Sequence, residues 1–279
     1  NGLSGGRALI KEKENGTQAI ERALQVLKCF MGNRNNLSLT AVAKEVGIPV
    51  STASRILGIL SREAFVQRNE MTKRYSLGKN IYLLGYCEKQ QDTLRKVLYP
   101  YLVKLRDEFG ETATMYIRDG RVRRLYEKVE PEKNFHFTPA VGSEYHLWAG
   151  AGAKALLAFL PEQEREEILS EARPLTPQTI LDPKALREEI LNVRKRGYAC
   201  SFDEYSGGFT SLSGPVVNGR EEALCSIGVT GPSARFTPEI VARLGQRLKE
   251  YCTELSLSFG WPGPHKGSDW VFPPRSEGT

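Results

Sequence analysis

Apolar side chains first recur at helical spacing after Gln18, where Ala19, Ala23, Val26, Leu27 and Phe30 predict a helix of about three turns ending near Gly32. Ser38 is placed to cap a short second helix, LTAVAKEVG, whose Leu39, Val42, Ala43 and Val46 form one face. Gly47 permits the tight turn after it. A third helix is predicted from Val50 to Glu63, with Ala53, Ile56, Leu57, Ile59 and Leu60 inward. Ser51, Thr52, Ser54, Arg55 and Arg62 are left for another surface. Two short runs, FVQR and RYSL, then alternate around the polar turn NEMTK and predict a hairpin. Two helices joined by a Gly-containing turn, then a hairpin, match a winged helix-turn-helix, whose second helix opens into the major groove.

Beyond this point the pattern changes. Gly78 to Lys89 reads as a linker helix, and Thr93 to Phe109 as a longer one in which Pro100 predicts a break or kink. Its Leu94, Val97, Leu98, Tyr101, Leu102 and Leu105 suit either a core or another subunit. Alternation in TATMYI and VRRLYEKV around Asp119-Gly120 predicts a second hairpin, and FHFT a further strand. The run LWAGAGAKALLAFL starts as a small-residue loop and turns helical by Ala153. Helices are expected at EQEREEIL and PKALREEILNVRKRG, strands at GYACS, SLSGPVV and ALCSIGV, and a last helix from Thr237 to Leu257 with Pro238 in its first turn. No repeat of 20 to 50 residues is evident. The fold class expected is α+β: residues 17–78 as the winged helix-turn-helix, 79–92 as linker helix and 93–259 as a second domain with a mainly antiparallel sheet. Residues 1–16 read as a disordered or tag-derived tail and 260–279 as a Pro- and Gly-rich tail, either disordered or docking its two Trp on a neighbouring surface.

Composition sharpens this division. The 279 residues carry 39 Lys plus Arg against 33 Asp plus Glu, but residues 1–90 hold 14 of the basic and only 7 of the acidic side chains. The excess positive charge therefore sits on the first third, where counterion release on a phosphate backbone would favour it. Val50, Ser51, Thr52, Ser54 and Arg55 are the candidate base- and groove-contacting residues. Lys73 and Arg74, at the hairpin tip or return strand, are candidates for phosphates or the minor groove. No window is long and apolar enough to span a bilayer and no signal-peptide core opens the chain, so a cytoplasmic protein without a membrane partner is expected. Cys29, Cys87, Cys200, Cys225 and Cys252 are dispersed, and His136, His146 and His265 do not cluster, so neither disulfide framework nor metal site is indicated. No GxSxG or paired acid–base arrangement marks a catalyst, and no cofactor is expected.

The segments QAIERALQVL, LTAVAKEVGIPVSTASRILGILSREAFV with its YSLG exit, GAKALLAFL and RGYACSFDE resemble the IclR family of bacterial transcriptional regulators over nearly all of Gln18 to Gly260. The resemblance implies a winged helix-turn-helix joined to a GAF-like effector-binding domain, acting as a homodimer or homotetramer on double-stranded operator DNA. Gly197, Ser201, Glu204 and Ser211 satisfy its effector-domain pattern, and Leu212 and Ser213 continue it. Val217 departs, where an aromatic or His is usual before Asn218. Carried over by position, the effector pocket falls to Ala151 and Gly152 on the loop, with Ser201, Ser211, Gly228 and Thr230 opposite. Backbone N–H groups there suit an organic acid or related anion. Ser201 and Ser211 replace the Asp and Cys of some relatives, and Trp148 stands where it can stack on a ligand, narrow the cavity or belong to the core. Two other readings stay open: a GAF-type redox sensor using Cys200 or Cys225, or catalysis at Ser211, each needing a perturbed pKa; and a ligand-free architectural DNA-binding protein.

Overall fold

The computed structural model describes residues 17–31, 36–132, 136–264 and 271–272; over 86–91 it describes helical backbone without side chains. The N-terminal tail 1–16, Phe135 of the FHFT segment, His265, Trp270 and the last seven residues lie outside the described residues, as does the Cys87 side chain. The chain divides into two units, Asn1–Asp92 and Thr93–Thr279.

In the first unit, α1 covers residues 17–28, α2 Leu39–Val46 and α3 Val50–Arg62. Ser38 caps α2 by accepting a hydrogen bond from the Ala41 N–H at 3.2 Å, and Gly47 closes it in the left-handed conformation at φ 69°. Strands β1 (Val66–Arg68) and β2 (Tyr75–Leu77) pair antiparallel with Val66 opposite Leu77, and α4 (Lys79–Gln91) follows. Val26, Phe30, Val42, Ile56, Leu57, Val66 and Tyr75 share one core, so helix period and strand period converge on the same interior. Ile59 departs from the expected inward set: it is exposed, on the opposite side of α3 from Leu57.

Gly78, which ends the hairpin, shows how close the chain passes to itself. A Cβ there would lie 2.3 Å from the Ala64 carbonyl oxygen and 2.9 Å from the Val66 nitrogen, so the obstruction is backbone. Gly78→Ala is expected to destabilise the first unit by about 1–3 kcal/mol through overpacking. Urea unfolding followed by far-UV circular dichroism reads this, and an unchanged midpoint would contradict it.

The second unit is built on a six-stranded antiparallel sheet in the order β5-β4-β3-β8-β7-β6. Its strands are β3 (Thr112–Asp119), β4 (Val122–Val129), β5 (Glu144–His146), β6 (Ala199–Phe202), β7 (Phe209–Val217) and β8 (Ala223–Pro232). Helices α5 (Thr93–Phe109) and α9 (Pro238–Ser258) join Ala113, Met115, Leu212, Ile227 and Val229 in one core. Pro100 lies inside α5 without ending it, and Leu98, Leu102 and Leu105 enter this core, answering their placement. A second core takes in Leu147, Leu156 and Leu157 of the α6 (Ala151–Leu157) region and Leu186, Ile190 and Val193 of α8 (Pro183–Arg196). Helix α7 (Glu162–Ser170) adds Ile168.

One expectation changes here and another is narrowed. Residues 136–138 of FHFT form no strand; the edge strand is β5, paired to β4 with His146 opposite Val122. For residues 260–279, where disorder and docking were both open, the described part docks. Trp261, Val271 and Phe272 are buried in the second core, and the Val271 and Phe272 N–H groups donate to the Lys195 and Arg194 carbonyls at 3.1 and 2.9 Å.

Candidate functional site

Two surfaces carry the residues singled out from sequence. On α3, Val50, Ser51, Ser54 and Arg55 are exposed and Thr52 half-buried. The helix starts on Pro49 without a side-chain cap and has no acidic residue in its first turn. The hydroxyls at this end thus stay uncommitted beside unsatisfied helix N–H groups, a setting that attracts anions. At the hairpin tip, Lys73 pairs with Glu70 at 3.2 Å, both exposed. Arg74 donates from Nη1 to the Asn36 carbonyl at 2.9 Å, which braces the hairpin against the chain preceding α2.

The second site is a cavity in the other unit. Registry explains its floor: Ser201 lies opposite Ser211, Ser211 opposite Thr230 and Thr230 opposite Thr112, placing hydroxyls in one row across four strands. Two residues along, Ser213 lies opposite Gly228. A Cβ on Gly228 would fall 2.1 Å from Ser213 Oγ and 2.2 Å from the Leu212 oxygen, so this glycine serves strand packing. The roof is the start of α6, entered through Gly150 at φ 91°, a conformation that disfavours other residues.

Of the positions expected to hold an effector, Gly152, Ser201, Ser211 and Thr230 line this cavity. Ala151 is buried beside them, Gly228 supports the floor, and Trp148 stacks on His146 at 4.0 Å with its indole N–H buried and unpartnered. Sequence reasoning did not single out the side chains that dominate the walls: Arg123, Tyr116, Tyr145, Tyr205, Phe137 and Phe209. The Arg123 guanidinium lies 4.3, 5.1 and 5.2 Å from the ring centres of Tyr116, Tyr145 and Tyr205. Burial pushes the Tyr145 hydroxyl up to about 12 and raises that of Tyr116, Arg123 opposing the rise in each case, so both rings stay neutral near pH 7.

Beside the cavity, Lys154 of α6 is buried with its Nζ 2.7 Å from Glu204 Oε1 and 3.8 Å from Glu189 Oε1. Burial raises the Glu204 carboxyl above the usual carboxylate range, against the pull of Lys154. The Thr176 and Thr179 hydroxyls donate to the Asp203 and Glu204 carbonyls at 2.6 and 2.8 Å, pinning the base of the loop that presents Tyr205. The thiols point away from redox chemistry: burial raises Cys200, Cys225 and Cys252, the reverse of an activated thiolate. Among the described residues no cluster of His, Cys, Asp and Glu could hold a metal ion, and no helix is long and apolar enough to cross a membrane.

Comparison with known proteins covers both units. Residues 19–70 match the IclR helix-turn-helix domain, and residues 89–257 match the family described as bacterial transcriptional regulator IclR C-terminal. The chain is 32% identical to the HTH-type transcriptional regulator Rv1719 of Mycobacterium tuberculosis, over 80% of this chain and 86% of that protein. It is 25% identical to the transcriptional repressor IclR of Escherichia coli, over 87% and 90% respectively. Among solved structures, an IclR homolog from Microbacterium hydrocarbonoxydans complexed with 4-hydroxybenzoate superposes with a TM-score of 0.76 at 19% identity, covering 86% of this chain and 98% of that one.

Proposed function

The chain belongs to the IclR family of bacterial transcriptional regulators, and on that premise we propose that it binds operator DNA as an oligomer and alters that binding when a small organic acid enters the cavity of its second unit. The observation that carries the proposal is the cavity itself. Four positions expected from the family pattern, Gly152, Ser201, Ser211 and Thr230, converge on it from α6 and three strands, around a buried cation. A relative of the same fold holds an aromatic acid, which supports the class of ligand. The raised thiols favour this reading over redox sensing, and a cavity with polar walls favours it over a purely architectural role.

DNA recognition falls to the exposed start of α3. Ser51, Thr52 and Ser54 suit base edges and phosphates, Arg55 a guanine edge or a phosphate, and Val50 apolar contact in the groove. Lys73 and Arg74 lie on the hairpin for backbone contacts. A second copy is invited by apolar side chains left in solvent on the first unit: Ile20 and Leu24 of α1, Leu83 and Leu84 of α4. Dimer symmetry would match paired operator half-sites. Effector control of this type needs only about 1–3 kcal/mol of coupling.

The test joins both sites. Arg55→Ala is expected to weaken specific operator binding by about 1–3 kcal/mol at fixed salt, leaving non-specific binding nearly intact. Gly152→Phe, which fills the cavity, should preserve operator binding but remove its response to the effector. Unchanged footprints for Arg55→Ala, or an unchanged effector titration for Gly152→Phe, would refute the respective assignment.

A further inference from the structure

Four charged side chains are buried among the described residues: Glu111, Arg123, Lys154 and Glu204. Three of them meet an opposite charge, Glu111 through Arg235 at 2.9 Å and Lys154 with Glu204 at 2.7 Å. Arg123, 6% exposed, does not. Its Nε donates to the His146 carbonyl at a long 3.4 Å, Tyr116 meets it through both hydroxyl and ring, and Tyr145 and Tyr205 turn their ring faces toward it, none of them a countercharge. Ring faces, a hydroxyl and a carbonyl attract the charge, yet none of them carries a full negative charge to balance it. A buried charge of this kind is costly unless something supplies the countercharge.

The roof is shaped around this group. A Cβ on Gly150 would come within 3.0 Å of Arg123 Nη2, and one on Gly152 within 3.3 Å of Nη1. The bare loop thus lets the two terminal nitrogens lie along the cavity. A planar fork of donors is the geometry that takes a carboxylate in two parallel hydrogen bonds. The walls carry no second Arg and no Lys, which disfavours a phosphate dianion.

The rest of the lining describes the body of the ligand. Phe137 and Phe209, with ring centres 5.6 Å apart, and Tyr145 and Tyr205 offer flat apolar surface, while Ser201, Ser211, Ser213 and Thr230 offer hydroxyls opposite. With the side chains as they stand the free volume is about 40 Å³, enough for a few waters. Admission of an organic acid therefore requires the lining to open, and Tyr205, on the loop between Asp203 and Gly208, is part of that lining. Asp203 holds the ends of that loop by accepting from Gly208 N–H at 2.6 Å and Ser233 Oγ at 2.9 Å.

We propose that Arg123 is the countercharge of the effector and that the effector is an aromatic monocarboxylate bearing a ring hydroxyl, a reading that rests on the cavity being the effector site. The experiment uses the full chain and titration calorimetry with 3- and 4-hydroxybenzoate, their amides, cyclohexanecarboxylate, pyruvate and inorganic phosphate. At least one hydroxybenzoate should bind, and about ten-fold or more tighter than its amide, the worth of one charge-assisted pair. In Arg123→Met the preference for acid over amide should vanish while ligand-free operator binding persists, and Arg123→Lys should restore part of it. A merely structural arginine would instead weaken acid and amide in parallel.

Preference for pyruvate, cyclohexanecarboxylate or phosphate, an acid-to-amide ratio near one in the wild type, or no binding by any hydroxybenzoate overturns the inference without recourse to a variant. Gly152→Phe separates the two levels. If that variant still binds the acid, the cavity is not the effector site and both readings fall. If it abolishes binding while Arg123→Met keeps the full acid preference, the site stands and the assignment of Arg123 falls.

Discussion

Glu204→Leu is expected to cost the second unit about 3–5 kcal/mol, because it strips a buried ammonium of its nearest counter-ion. Lys154 is 1% exposed and its Nζ has two carboxylates in range, Glu204 at 2.7 Å and Glu189 at 3.8 Å. Glu189 cannot substitute fully, since Arg196 already engages its Oε1. The loss should be largely recovered in the double variant Lys154→Met/Glu204→Leu, where apolar groups replace both charges. Chemical unfolding of the wild type, both single variants and the double variant forms the required cycle. If the double variant were no more stable than Glu204→Leu, the pair would not be the source of the effect.

Phe272→Ala carries a comparable penalty, about 3–5 kcal/mol, although the residue follows a stretch rich in Pro and Gly. Its ring meets Phe159 edge-on at 5.3 Å and Trp261 at 4.7 Å. Its carbonyl accepts from Arg194 Nε at 3.2 Å, and the same arginine donates to the Ala158 carbonyl, also at 3.2 Å. Removing the ring leaves a cavity between α6, α8 and the chain after Gly260, and loosens the arginine that ties them. Thermal unfolding should show a markedly lower Tm for Phe272→Ala and for a chain ending at Gly260. A Tm equal to the wild type in the truncated chain would mean that these aromatics do not hold the domain together.

The case of Phe272 shows where sequence reading stops. Composition identifies the segment after 259 as irregular, but a single buried ring can fix a stretch of chain without periodicity to announce it. Helices and long strands were legible because their apolar period reports which face is buried: α5 has the bounds that its spacing predicts, Thr93 to Phe109. The edge strand β5 was not, since three residues at a sheet margin carry too little alternation. Four of the thirteen residues that line the cavity, Gly152, Ser201, Ser211 and Thr230, could be read from small residues carried over from a family pattern. Arg123 was missed although a signal existed: it stands two residues before Leu125 in VRRLYEKV and shares its inward phase, with Val122 and Arg124 on the other face. An arginine in phase with core leucines is the kind of local contradiction that marks function.

The two faces of the six-stranded sheet have unequal chemistry, and that inequality separates the positions that hold the fold from those that shape the cavity. Residues such as Ala113, Met115, Ile227 and Val229 look toward α5 and α9, and substituting them alters folding. Their neighbours Thr112, Ser211, Ser213 and Thr230 look the other way, toward the cavity or its rim. Because adjacent strand residues alternate sides, Ser201, Ser211, Ser213 and Thr230 can be exchanged without touching the core beneath, whereas Gly228 on the same face is held by packing. The chemistry of the cavity can therefore be altered within one parity class along three strands while the other class keeps the fold.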